Sequence, residues 1–336
     1  MSEIAISIGT HTIYWSSILI VLAAAACFAL TYALFTSHGG RGSALWLMLP
    51  VAVALSVVLS RFLHWYCHEE QYAGFWRAMT DYSSGGYCMP GVLLGTALAA
   101  LLVRLLGLTS NVRRLFDCLA PGAALGLALI RLSSLFTSAD RGKILVKNPL
   151  FRRLPLASPI TTISGGTEYR FATFFIQFLL MLLLCFLLLR FFDKRRRFPM
   201  KAGQPRDGHV ALMFLIGYSA IELVLDSTRY DASFARFNGF VSIVQILSAV
   251  TLLAVLIVYS VRSVRANGLG RVHWLLWVGF LLAVGATGFL EYLVQRYGNW
   301  YLPCYAGMSL TSSLIALVDY RMYLTVCDNR ARRKTA

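Results

Sequence analysis

Nine stretches of the chain are each long and apolar enough to cross a lipid bilayer. The hydrocarbon core takes about 20 mostly apolar residues of helix, and charged residues, Gly or Pro bound each stretch. Composition agrees, because 58% of the 336 residues are hydrophobic and 14% are charged. The sequence therefore predicts an all-α, polytopic transmembrane bundle of about nine spans. The predicted spans are 13–36, 44–63, 86–106, 115–136, 171–192, 209–226, 237–261, 272–291 and 303–325.

Most basic residues follow the odd-numbered spans and so fall on one side of this bundle. Residues 1–12, at the other side, carry Glu3 and no Lys or Arg. The positive-inside rule then predicts the amino terminus outside the cytoplasm and the carboxyl terminus inside. A net charge of +16 could also indicate nucleic-acid binding, but its alternation with the spans indicates topology instead. The basic residues that follow the odd-numbered spans are Arg41, Arg113, Arg114, Lys194, Arg195, Arg196, Arg197, Lys201, Arg206, Arg262, Arg265, Arg271, Arg330, Arg332, Arg333 and Lys334.

The loop 137–170 departs from this charge pattern, because it is predicted outside and yet is basic. Two readings stay open: a longer loop tolerates charges that would orient a short one, or the charges attract anionic lipid head groups. Pro149, Pro155 and Pro159 predict an irregular loop with at most a helical turn.

Cysteine and histidine patterns predict neither a metal site nor a cofactor. The seven cysteines include no C-x-x-C pair, and His64 and His68 lack an identifiable third ligand. Cys67, Cys88 and Cys304 fall near the predicted outer face, so one disulfide among them is an alternative to free thiols in the core. No basic segment precedes the first apolar run, and we expect no cleavable signal peptide.

Ionisable residues at membrane depth are costly and typically functional. Arg131 lies late in span four, and Arg61 ends span two. Glu222, Asp226 and Arg229 are spaced by four and three residues, which places them on one helix face at the outer end of span six. Snorkelling of Arg131 to the interface and a local Asp226–Arg229 ion pair are the alternatives. Convergence of the three arginines would suit an anionic phosphate.

Several ordered motifs resemble those of the bacterial prolipoprotein diacylglyceryl transferases. The most specific are an Asp-x-x-Ala-Pro segment followed by Gly and Arg, and an Asp-x-x-Arg pair between two apolar motifs. The resemblance covers residues 6 to about 261 in collinear order. It rests on Ile13-Tyr14-Trp15, Ser60-Arg61, Gly85-Gly86, Gly91, Gly95, Asp117-Cys118-Leu119-Ala120-Pro121, Gly126, Arg131-Leu132, Phe214-Leu215-Ile216-Gly217-Tyr218, Asp226, Arg229 and the segment 242–248.

The resemblance implies a membrane enzyme without a cofactor. Members transfer a diacylglyceryl group from phosphatidylglycerol to the lipobox cysteine thiol of a secreted prolipoprotein, at the outer side of the bacterial cytoplasmic (inner) membrane. It also implies a division of the chain. Residues 1–261 would form the seven-span transferase domain, and residues 262–336 would add two spans and a basic cytoplasmic tail.

The same resemblance assigns roles to individual residues. Arg131 and Arg229 would clamp the lipid phosphate, with Arg61 in support and with Ser134 and Gly142 completing the substrate-binding set. Asp226 would orient Arg229. The resemblance supplies no base at Glu222, and it is from the residues themselves that either Glu222 or Asp226 is the evident catalytic base at that depth.

Four positions depart from the family pattern. Pro90 replaces a His or Tyr, and Ser16-Ser17 replaces Tyr-Gly. Ala139 stands at an acidic position, with Asp140 one place later, and Glu222 replaces an Arg. The alternative functions are therefore a catalytically inactive paralogue that binds lipid or a partner protein and, third, a small-molecule transporter. Transporters typically have paired broken spans, which this sequence lacks.

Overall fold

Long helices make up most of the fold. The computed structural model describes residues 4–8, 11–81, 86–109, 111–137, 140–161, 165–197, 200–201, 203–235, 238–298 and 300–327; Gly85, Ala139 and the basic tail lie outside them. The elements are β1 (Ile4–Ile8), β2 (His11–Tyr14), α1 (Trp15–Ser37), α2 (Gly42–Cys67), α3 (Phe75–Thr80), α4 (Met89–Leu105), α5 (Val112–Ser133), α6 (Pro149–Arg152), β3 (Ala157–Thr161), β4 (Thr167–Phe171), α7 (Thr173–Arg197), α8 (His209–Thr228), β5 (Phe234–Ala235), β6 (Asn238–Ser242), α9 (Ile243–Asn267), α10 (Arg271–Tyr297) and α11 (Tyr301–Val326).

The predicted helical membrane bundle is confirmed. Within the described ranges, 8 helices are long and apolar enough to cross a membrane, namely α1, α2, α5 and α7 to α11. The remaining predicted span, span three at 86–106, corresponds to α4, an apolar helix of 17 residues. The strands form three separate antiparallel hairpins, β1–β2, β3–β4 and β5–β6. The chain is therefore a multi-pass membrane protein.

The start of span seven and the content of the loop 137–170 both differ from the sequence prediction. Span seven begins at Ile243 and not at 237, because Ser242 and Gln245 form a reciprocal capping box that starts α9. The loop 137–170 is not irregular throughout, because it contains α6 and the β3–β4 hairpin, in which Ala157 pairs with Phe171. Thr, Tyr and Phe at every second position of β4 favour a strand there.

Glycines allow two helix pairs to approach closely, as their spacing predicts. A Cβ on Gly91 would overlap the backbone of Ser60, so α4 lies directly against α2. A Cβ on Gly126 would lie 3.0 Å from Cys27 Cβ, where α5 crosses α1. Gly95 and Gly122 make the corresponding contacts one helical turn away.

The predicted alternative of a disulfide is wrong, because all seven cysteines lie in the described part of the chain and no disulfide joins them there. Burial explains why Cys88 and Cys304 serve as small core residues. His64 and His68 stack with ring centroids 4.4 Å apart, and no group of three or more potential ligands that could hold a metal ion occurs among the described residues.

Two hydrogen-bonded contacts fix the position of α8. At its amino-terminal end, the Asp117 carboxylate of α5 accepts from the backbone N–H groups of Gly208 at 2.7 Å and Val210 at 2.8 Å. At its other end, Tyr305 of α11 donates to the Ser227 carbonyl at 3.1 Å. Side chains of α8, α9, α10 and α11 also share one apolar core. Of the helices beyond residue 261, α11 is thus packed directly on α8, and α10 packs on α11.

Candidate active site

Two buried arginines from distant parts of the sequence meet on one carboxylate. Arg131 Nη1 lies 2.8 Å from Asp140 Oδ1, and Arg229 Nη2 lies 2.6 Å from the same oxygen. Arg131 ends α5, Asp140 follows it in the loop, and Arg229 follows α8. The predicted convergence of these two arginines is therefore observed. With 5% of its surface exposed, Arg131 is buried and does not snorkel.

Three further carboxylates surround the two guanidinium groups. Glu222 Oε1 lies 3.6 Å from Arg131 Nη2. Asp226 Oδ1 lies 3.5 Å from Arg229 Nη1, and Asp231 Oδ1 lies 3.1 Å from Arg229 Nε. The local Asp226–Arg229 pair exists, but it is one contact in a larger network. We call these six residues the outer cluster: Arg131, Asp140, Glu222, Asp226, Arg229 and Asp231.

The pKa of Asp140 lies well below its usual range. Burial alone would raise this pKa, but the charges of Arg131 and Arg229 outweigh that effect and lower it. The Ser134 hydroxyl adds to the lowering by donating to Asp140 Oδ2 at 2.7 Å. The Asp140 carboxylate is therefore charged at neutral pH and serves as the shared counter-ion of both arginines.

Uncharged side chains orient the two carboxylates of α8. Gln177 of α7 donates its amide N–H to Glu222 Oε1, and Ser242 donates its hydroxyl to Asp226 Oδ2. The Gln245 side chain donates to the Leu223 carbonyl at 3.1 Å, which ties the start of α9 to α8. Glu222 and Asp226, both 1% exposed, are thus held in fixed orientations inside the bundle.

Gly142 allows the loop after α5 to pass close to the start of α7. A Cβ on Gly142 would lie 2.9 Å from the Phe171 carbonyl oxygen, so any side chain would collide there. Gly142 donates its N–H to that carbonyl at 2.8 Å and forms a β-bridge with Arg229. The predicted site residues Ser134 and Gly142 therefore both border the outer cluster.

Arg61 makes different contacts from those the sequence predicts. Its guanidinium donates to the backbone carbonyls of Ala78 at 2.6 Å and Gly86 at 3.1 Å, and also to the Asp81 carbonyl. It lies between the rings of Tyr72 and Tyr87. This arginine therefore organises the loop between α2 and α4, whereas Arg131 and Arg229 share the counter-ion Asp140.

Comparison with known proteins identifies the family of the chain. The family described as prolipoprotein diacylglyceryl transferase matches residues 3–261. The chain belongs to this family of transferases. The family resemblance predicted from the motifs is confirmed, and both arginines of the outer cluster lie within the matched region. Helices α10 and α11 lie beyond it.

One curated member of the family shows how distant the kinship is. The phosphatidylglycerol–prolipoprotein diacylglyceryl transferase of Synechococcus elongatus is 29% identical over 194 residues. The aligned region covers 55% of this chain and 62% of that protein. The chain thus spans 62% of the length of this relative.

Sequence reasoning did not assign a role in the site to Asp140, Asp231 or Gln177. Asp140 was noted one place after the acidic position of the family, but the spacing alone does not reveal that its carboxylate reaches both arginines. Asp231 accepts the backbone N–H of Asp140 at 3.0 Å, which requires the loop and the end of α8 to meet. The sequence signal available for Asp231 was its position as a short acidic residue two places after Arg229.

The segment that opens α4 is buried against α2. Cys88, which immediately precedes α4, accepts the Ser60 hydroxyl at its carbonyl at 2.9 Å. Pro90, where the family has His or Tyr, is buried in the first turn of α4.

Proposed function

We propose that this chain transfers a diacylglyceryl group from phosphatidylglycerol to the lipobox cysteine thiol of a prolipoprotein, at the outer face of the bacterial cytoplasmic membrane. The observation that supports this proposal is the meeting of Arg131 and Arg229 on Asp140, because buried guanidinium groups at one end of a membrane bundle suit a lipid phosphate. Family membership supports the same reaction class.

The reaction exchanges a carbon–oxygen bond for a carbon–sulfur bond. The cysteine thiol loses its proton to a carboxylate, and the thiolate sulfur attacks the glyceryl carbon that carries the phosphate ester. The bond between this carbon and the ester oxygen breaks. Glycerol phosphate leaves with the electron pair of that bond, and the cysteine becomes a thioether. Positive charge beside the departing phosphate lowers the barrier.

The residues of the outer cluster suit these steps in different ways. Arg131 and Arg229 would stabilise the charge on the departing phosphate. Asp226 has both oxygens occupied, by Arg229 and Ser242, so it suits the positioning of Arg229. Glu222 Oε2 has no hydrogen-bond partner among the described residues. Glu222 is therefore the better candidate for the base that accepts the thiol proton.

The test is transfer of labelled diacylglyceryl from phosphatidylglycerol to a lipobox peptide by the purified protein. Arg131→Ala and Arg229→Ala should each lower transfer and lipid binding about tenfold to hundredfold, because a lost charged hydrogen bond costs roughly 1.5–3 kcal/mol. Arg→Lys should recover part of this loss. Lys147→Ala, in an exposed part of the same loop, is the control. Full transfer by both Ala variants would refute the proposal.

A second candidate is a relative that binds lipid without transferring it. The observation that favours it is the charge balance, because four carboxylates face the two arginines of the outer cluster. Lipid binding that depends on Arg131 and Arg229, without thioether formation by the wild type, would identify this second function.

A further inference from the structure

Arg141 is a buried arginine whose hydrogen-bonding capacity is largely unused. Arg141 is the residue after Asp140, and 6% of its surface is exposed. Nη2 donates to the Thr137 carbonyl at 2.7 Å. Nε and Nη1 have no acceptor anywhere in the described ranges. Burying guanidinium N–H groups without acceptors costs free energy. A bound ligand that supplies acceptor oxygens would satisfy these donors of Arg141.

The backbone and an aromatic ring hold Arg141 in place. Its carbonyl accepts the Tyr230 N–H at 2.8 Å, and the next residue but one, Lys143, donates its N–H to the Thr228 carbonyl at 2.8 Å. The guanidinium lies over the Phe174 ring, 4.6 Å from its centroid. Stacking on an aromatic face leaves the edges of a guanidinium, with their N–H groups, available to an anion.

The charge balance of the outer cluster means that an additional cation would favour the binding of an anion there. At full ionisation its four carboxylates exceed its two arginines, and each Nη atom of Arg131 and Arg229 already faces a carboxylate. None of the described carboxylates forms an ion pair with Arg141, although Asp140 acts on it electrostatically. Arg141 is thus a buried arginine next to the outer cluster whose Nε and Nη1 have no acceptor among the described residues.

We propose that Arg141 binds the phosphate oxyanion of the lipid donor and of the departing glycerol phosphate, as the third arginine of the site in place of Arg61. This inference rests on the proposed function and specifies where the phosphate sits. Arg141 lies in the loop just beyond the end of α5, at the predicted outer interface, where lipid phosphates are located. A planar guanidinium is suited to two oxygens of one phosphate.

The test measures binding of three phosphate probes to the full-length protein in detergent: short-chain phosphatidylglycerol, glycerol phosphate and inorganic phosphate. Arg141→Gln should weaken the first two about tenfold to hundredfold, and Arg141→Lys should weaken them less. The matched control is Arg152→Gln. Arg152, in the same loop, lies 5.1 Å from the Tyr169 ring centroid and donates to the Val146 carbonyl at 3.0 Å, but it is exposed.

The three probes separate the sources of the phosphate. Equal binding of all three probes that depends on Arg141 indicates a general oxyanion-binding site. Binding of phosphatidylglycerol and glycerol phosphate alone indicates a site for the lipid head group. Both outcomes support the proposed role of Arg141. Wild-type affinity in Arg141→Gln, or no binding of any probe by the wild type, overturns the inference. If thermal unfolding shows that Arg141→Gln is not folded, Arg141→Lys becomes the test of the inference. Unchanged phosphate affinity in Arg141→Lys would then exclude a planar guanidinium contact with the phosphate.

The inference and the proposed function fail in different ways. Phosphate binding that depends on Arg141, without thioether formation, refutes the proposed diacylglyceryl transfer and supports phosphate binding by Arg141. Thioether formation at equal rates by the wild type and by Arg141→Gln refutes phosphate binding by Arg141 and supports the proposed transfer.

Discussion

Two buried carboxylates of this protein have opposite surroundings. Asp140 of the outer cluster lies within 2.8 Å of Arg131 and 2.6 Å of Arg229, and it also accepts from Ser134. Asp319 of α11 is 0% exposed, and neither of its oxygens has a hydrogen-bond partner within the described part of the chain. Ile315 and Met322, on the same helix face, are equally buried.

The difference shows how position decides what a buried acid can do. An ionised carboxylate is tolerated in an apolar interior when cations and donors compensate it. Asp140 has such compensation, and removing it would leave two buried guanidinium groups without their shared counter-ion. Asp319 has none, so its uncharged form is the one that suits an apolar core. The same Asp→Asn change should therefore have very different consequences at the two positions.

The largest effect is expected for Asp140→Asn. Removing one member of a buried ion pair costs about 3–5 kcal/mol, and Asp140 makes the shortest carboxylate contact of both Arg131 and Arg229. The variant should unfold at a markedly lower temperature in detergent and lose transfer activity. Glu168→Ala is the control, because its 3.5 Å pair with Arg170 is partly exposed and should contribute about 1 kcal/mol or less. A wild-type unfolding temperature for Asp140→Asn would contradict the counter-ion role.

Lowering the pH should reduce the difference in stability between the wild type and Asp140→Asn. The pKa of Asp140 is lowered in the folded protein: burial raises it, but Arg131 and Arg229 lower it by more. Its stabilising contribution is therefore complete above the unfolded pKa of about 3.9 and is lost as the pH falls toward the lower folded value. Thermal unfolding of both proteins between about pH 6 and about pH 3 measures this. A constant difference across that range would assign the stabilisation to another group.

Sequence reasoning found much of the outer cluster because helix geometry is periodic. The spacing of Glu222, Asp226 and Arg229 on one helix, and the burial cost of Arg131, could be recognised from residue order alone. Asp140 and Arg141 lie in a loop, where no period relates residue number to direction. Their roles depend on the β-bridge between Gly142 and Arg229, a tertiary contact. Arg61 was misplaced for the same reason, because loop carbonyls that bind it have no sequence signature.

A smaller effect is expected where α11 contacts the site helix α8. Tyr305→Phe removes the 3.1 Å hydrogen bond to the Ser227 carbonyl and keeps the ring. The loss should be about 1 kcal/mol, as for a typical hydrogen bond. Tyr320→Phe, on a more exposed face of α11, is the matched control. Equal unfolding temperatures for both variants would show that this contact does not stabilise the bundle.

The smallest effect is expected for Asp319→Asn. If the Asp319 side chain is uncharged, this substitution exchanges one uncharged polar group for another of nearly the same size, and no partner is lost because none is present among the described residues. The change in stability should therefore be within about 0.5 kcal/mol, far below that of Asp140→Asn in the same thermal assay. Asp319→Val, which removes the buried polar atoms at similar volume, should be neutral or stabilising. A loss at Asp319 as large as that at Asp140 would mean that the carboxylate is charged and compensated, and the contrast between the two acids would then be wrong.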